Sequence, residues 1–199
     1  MNKLIPLLLV VALLQSCNQG AKNNASTEQA IAPQEKPAPE KQSFFPVTSY
    51  FKGQLYDILH KGINPMKYRT INDHTDSAWL KIESLTKEVD EFLHPEIDSV
   101  NLINLFTEKK FMDQSIDALT FTYDPIGELP DSMTLRHWDV YVDPKSGNIR
   151  RVYMVKQVSE NKTMQLTWQG DKWCKKVIIV NNPDGSSVVE KEEKISWDF

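Results

Sequence analysis

From Leu119 onward the apolar residues within segments recur at every second position, and this limits the fold more tightly than any other property of the chain. Leu119, Phe121 and Tyr123 alternate with Thr120 and Thr122, and Trp138, Val140 and Val142 alternate with His137, Asp139 and Tyr141. A period of two sends successive side chains to opposite faces of a strand, so one face goes to a core and the other to water or a partner. Turn-forming residues cut the pattern at short intervals: Asp143-Pro144-Lys145-Ser146-Gly147-Asn148, then 159–162, Gln169-Gly170-Asp171-Lys172, and Asn181-Asn182-Pro183-Asp184-Gly185. Between the turns lie strand segments at 119–123, 138–142, 149–158, 163–168, 173–180 and 187–197. Segments of this kind predict an antiparallel meander of about six strands.

Upstream the period is helical. In 47–60, Phe51, Leu55, Ile58 and Leu59 share one side, and Gly62 stands where such a helix would end. The longest stripe is at 77–93, where Ile82, Leu85, Val89, Phe92 and Leu93 line up behind a potential N-cap, Asp76, and Pro95 blocks continuation. A third helix is expected at 99–106 after Asp98. Helices first and strands after them predict an α+β fold, with the N-terminal helices packed on one face of the sheet. Residues 44–199 form a single domain of comfortable size for one core.

The N-terminal residues are of another kind. Lys3 precedes an apolar run from Leu4 to Leu14, too short for a membrane span of about 20 residues. A charged start followed by a short apolar run describes a secretory signal. Its end, Leu14-Gln15-Ser16-Cys17, resembles the lipobox of bacterial lipoproteins. The resemblance implies cleavage of residues 1–16, lipid on Cys17 and attachment to a membrane. Asn18 follows the cysteine, where an Asp would retain such proteins at the inner membrane, so the resemblance points to the outer membrane, facing the periplasm. Residues 17–43 then read as a tether. They contain no aromatic residue and carry Pro33, Pro37 and Pro39, so they reach roughly 80 Å if extended. The stretch Asp131–Lys156, with its run Leu135-Arg136-His137-Trp138-Asp139-Val140-Tyr141-Val142-Asp143-Pro144, is similar to uncharacterised envelope lipoproteins of Bacteroidetes-type bacteria, which supplies a host and no activity.

Without Lys3 the chain has 22 basic and 27 acidic side chains, a formal charge of −5. The basic residues are scattered, so no nucleic-acid footprint is expected. With Cys17 lipidated, Cys174 is the one thiol left; within a strand-like run it reads as buried and inert. His137 and Asp139, two apart on a strand, share a face and form the best candidate for acid–base or metal chemistry, against structural ion pairing as the plainer account. Trp138, Trp168 and Trp173 are candidates for lining a ligand pocket, against plain core. Phosphate-loop, nucleophile-elbow and zinc-protease motifs are missing from the sequence, and no cofactor is expected. The expectation is a membrane-tethered, non-enzymatic binding or accessory lipoprotein that meets an envelope protein or an apolar ligand. Two alternatives stay open: a carrier holding an acyl chain or other apolar ligand between sheet and helices, and a small hydrolase or metal-dependent enzyme centred on His137 and Asp139.

Overall fold

A computed structural model describes residues 43–198. The signal segment, Cys17 and all but the last residue of the expected tether lie outside the described residues, as does Phe199.

Helix α1 (Val47–His60) forms where its apolar stripe predicts, with Phe51, Leu55 and Ile58 buried and Leu59 left exposed. The Lys61 N–H closes onto the carbonyls of Asp57 and Ile58, and Gly62 leaves the helix at φ 70°, in the left-handed region that glycine adopts without a Cβ clash.

The remainder is a sheet of nine strands: β1 (Met66–Ile71), β2 (His74–Trp79), β3 (Phe106–Asp113), β4 (Ala118–Pro125), β5 (Leu135–Val142), β6 (Ile149–Ser159), β7 (Lys162–Gln169), β8 (Trp173–Asn181) and β9 (Ser187–Ser196). All pairings are antiparallel, in the order β2-β1-β9-β8-β7-β6-β5-β4-β3. Strands β3 to β9 are a meander, and the β1–β2 hairpin extends it from the β9 edge.

The expected α+β fold with a six-stranded sheet is therefore overturned. The six strand segments read from the sequence are present as β4 to β9, but three more join them, and α1 is the single helix of more than four residues among those described. No helix spans 77–93. Residues 77–79 belong to β2, and a 3-10 turn (Ile82–Ser84) leads into two four-residue pieces, α2 (Leu85–Glu88) and α3 (Asp90–Leu93). The stripe itself is genuine: Leu85, Val89 and Phe92 are buried. What breaks it is Val89, at φ −104° and ψ 9°, outside helical geometry. Asp76 stands opposite Arg69 in the β1–β2 ladder and caps nothing. Residues 101–105 turn without forming a helix. Asp98 Oδ1 accepts the N–H groups of Val100 and Asn101, both at 2.7 Å, and Phe106 already begins β3. The backbone accounts for the added hairpin. Without β1, the outer N–H and C=O groups of β9 would lack ladder partners.

Every strand residue of the core cluster lies on one face of the sheet, where Trp138, Val140, Val152, Met154, Leu166 and Trp168 meet Phe51, Leu85, Phe92 and Ile97. Rings dominate the contact: Trp168 lies 5.0 Å from Phe51 and 5.3 Å from Phe92, and Trp138 stacks on Tyr123 at 4.4 Å. Lys156 shares this face and is buried. Its Nζ donates to the backbone oxygens of Glu91 and His94, at the end of α3, and lies 3.6 Å from Glu91 Oε2. Desolvation holds its pKa below that of an ordinary lysine. The opposite face contributes nothing to the core cluster, and it carries His137 and Asp139.

Candidate functional site on the open sheet face

Strands β4 and β5 place the site. Thr122 pairs with Asp139, and Asp139 with Tyr153 on β6, so one cross-strand row brings the three side chains to the same face. His137 lies two residues before Asp139, and Asp124 two residues after Thr122, which completes a square.

His137 is held from both sides. Its Nδ1 lies 2.9 Å from Asp124 Oδ1 and its Nε2 3.1 Å from Asp139 Oδ2. Asp139, 8% exposed, also accepts from the Thr122 hydroxyl at 2.6 Å and the Tyr141 hydroxyl at 3.1 Å. Burial by itself would raise the Asp139 pKa, yet the bonds from His137 and Thr122 and the imidazolium charge outweigh it and hold the carboxyl below its ordinary range. The His137 pKa is raised, chiefly by its bond to Asp139, against desolvation and with help from Asp124. A ring with both nitrogens donating to carboxylates is an imidazolium with no free lone pair. In that state it can neither take a proton nor bind a metal. Among the described residues no group of three or more His, Cys, Asp or Glu side chains is placed to hold a metal ion.

This geometry predicts a titration. The His137 ring should titrate above the ordinary value of about 6.5, followed by proton NMR of its ring signals. Asp139→Asn should lower the midpoint more than Asp124→Asn does. Because the folded pKa is raised, the clamp's stabilisation is full below the unfolded value and is lost as pH rises through the folded one. A midpoint at or below the ordinary value would remove the imidazolium clamp.

Beside the clamp lies a depression of about 280 Å³ lined by Asp139, Tyr141, Arg151, Tyr153 and Thr167. The Arg151 guanidinium sits over the Tyr141 ring, 4.2 Å from its centre, and Lys194 Nζ stands 5.2 Å from the centre of Trp173 on the same face. Neither cation forms an ion pair with a carboxylate of the described residues. The other cations of this face are engaged: Lys109 with Asp124 at 2.9 Å, Lys175 with Glu192 at 3.4 Å.

The sequence placed His137 and Asp139 on one face, and there they are. The structural ion pairing set against the chemical reading is present, and the partner it brings to His137 besides Asp139 is Asp124, while Arg150 pairs with Asp143. Asp124 shares a face with Thr122 by its even spacing, but what brings it to His137 is the β4–β5 register, which no local pattern encodes. Trp138 and Trp168 are fully buried against other rings, whereas Trp173 is half-buried on the open face. Cys174 is buried, and burial pushes its thiol pKa up to about 12. Lipidation at Cys17 lies outside the described residues. Among those residues no helix is long and apolar enough to cross a membrane. No protein-family model matches the sequence, and no curated protein or solved structure matches it.

Proposed function

We propose that this chain is a membrane-tethered, non-enzymatic binding lipoprotein of the cell envelope, held by lipid on Cys17 at the periplasmic face of the outer membrane. Its open sheet face docks an envelope protein that presents acidic side chains. The observation behind this reading is the pair of cations, Arg151 and Lys194, each resting on an aromatic ring and neither within ion-pair distance of a carboxylate among the described residues, Asp113 and Asp198 feeling their charge only from farther off. Arginine and aromatic side chains are the residue types enriched where interfaces carry their binding energy, and a complementary charge supplies the orientation. The two rival readings have less behind them. A carrier needs open volume beside Trp138 and Trp168, whose surroundings are packed rings. A general base or a metal ligand needs a free nitrogen on His137, and both lie against carboxylates.

The test is crosslinking and co-purification from the native envelope, comparing the natural chain with Arg151→Glu/Lys194→Glu. One reproducible acidic partner should be recovered with the first and lost with the second, while the melting temperature stays unchanged. Cys17→Ser, run alongside, should release the chain from the membrane. Recovery that ignores the charge reversal would sink the docking face, and membrane attachment that survives Cys17→Ser would sink the anchor.

A further inference from the structure

On the open face the polar groups are largely satisfied by one another. The reverse holds at the cleft beside the C-terminal half of α1. It encloses about 610 Å³, within the range of about 300–1,000 Å³ usual for small-molecule sites. Tyr50, Gln54 and Asp57 reach it from α1, at steps of four and three residues, so they share one side of the helix. Asn148 enters from the turn before β6 and Asp171 from the turn before β8. The side chains of Gln54, Asp57, Asn148 and Asp171 make no hydrogen bond or ion pair with any described residue. Two carboxylates, two primary amides and a phenol thus converge from three separate elements, Tyr50 and Gln54 half-buried and the other three open to solvent, with none of the four carboxylate and amide groups committed to another described residue.

We infer that this cleft is a binding site for a saccharide chain bearing acetamido groups. Carboxylates accept pairs of sugar hydroxyls, and primary amides match the N–H and C=O of an acetamido substituent. Tyr50 supplies a donor, since burial and the neighbouring Asp171 charge push its pKa up to about 12 and keep the phenol protonated. Ile58 and Ile149 give the C–H face of a sugar ring an apolar floor. The two carboxylates disfavour an anionic ligand, and Lys61, which also lines the cleft, offsets one of them. This site is independent of the open-face reading, and either can fail alone.

Isothermal titration of the full chain in detergent tests it with three probes: trimers of N-acetylglucosamine, glucose and protonated glucosamine. The acetylated trimer should bind at least about tenfold more tightly than the glucose trimer, and Asn148→Ala and Asp171→Asn should each weaken it about tenfold, the cost of one hydrogen-bonding group. Both substitutions lie in exposed turns, and an unchanged melting temperature would show that the fold is intact. Equal binding of glucose and N-acetylglucosamine trimers overturns the inference, as does an absence of binding or indifference to both substitutions. Tighter binding of the glucosamine trimer also overturns it, by making the carboxylates a cation site.

Discussion

Trp168→Ala is expected to cost about 3–5 kcal/mol, which for a domain of this size lowers the melting temperature by roughly 6–20 °C. Trp168 is fully buried and sits where four pieces of chain meet. Its ring lies 5.0 Å from Phe51 of α1, 5.3 Å from Phe92 of α3 and 5.2 Å from Trp197 beyond β9, while its own strand, β7, runs through the sheet interior. Phe51 of α1 and Phe92 of the four-residue α3 meet the sheet through this ring, so deleting the indole opens a cavity under α1 that rigid strands cannot close. The indole N–H has no hydrogen-bond partner among the described residues, so the loss is one of packing and burial alone. Trp168→Phe keeps an aromatic face towards Phe51 and Phe92 and should cost markedly less. Thermal melts by circular dichroism separate the two. An alanine variant within about 0.5 kcal/mol of the natural chain, the range of ordinary surface changes, would mean that the ring cluster does not hold α1 to the sheet.

Why α1 and β4 to β9 were legible, and the rest was not, follows from where apolar side chains were needed. Phe51, Leu55 and Ile58 mark α1, and the alternation through Trp138, Val152 and Trp168 marks the inner strands, because each buries a complete face. The β1–β2 hairpin buries almost nothing. All six residues of β2 are exposed, and β1 turns Lys67 and Arg69 to the side its neighbours fill with apolar residues. Its signal was the turn: Asn72 and Asp73 both adopt positive φ, at 49° and 62°, as asparagine and aspartate readily do in two-residue hairpin loops. Strand β3 is an edge strand, and Glu108-Lys109-Lys110 hides its period with the charges that edge strands use against wrong pairing. The stripe at 77–93 misled in the opposite way, since burying Leu85, Val89 and Phe92 needs only short helical pieces. At the site, the His137–Asp139 pair follows from local spacing, whereas Asp124 arrives through β4–β5 register. The cleft beside α1 joins residues more than a hundred positions apart, and no local pattern announces that.

The largest electrostatic effect should come from Glu193, a carboxylate 6% exposed on β9. Four cations surround it: Lys191 at 2.9 Å, Lys67 at 3.1 Å, Arg69 at 3.2 Å and Lys176 at 3.5 Å. Burial raises its pKa, but the bonds from Lys191 and Lys67 and the charges of Lys67 and Lys176 prevail and hold it at about 2. Removing this carboxylate leaves Lys67, only 14% exposed, with Glu88 as its one remaining partner, and sets four like charges against each other. Breaking a buried pair costs about 3–5 kcal/mol; Arg69, half exposed, can turn to water, so Glu193→Gln should fall at the lower end, near 3 kcal/mol. The sign with pH is fixed by linkage. A carboxyl whose folded pKa lies below its unfolded value of about 4.3 stabilises fully above that value and loses its contribution as pH falls through the folded one. The natural chain and Glu193→Gln should therefore differ most above pH ~5 and converge as pH approaches ~2. Melts across that range decide it. A gap that stays constant on acidification would show that the glutamine variant fails through packing, and that the four cations do not depend on the Glu193 charge.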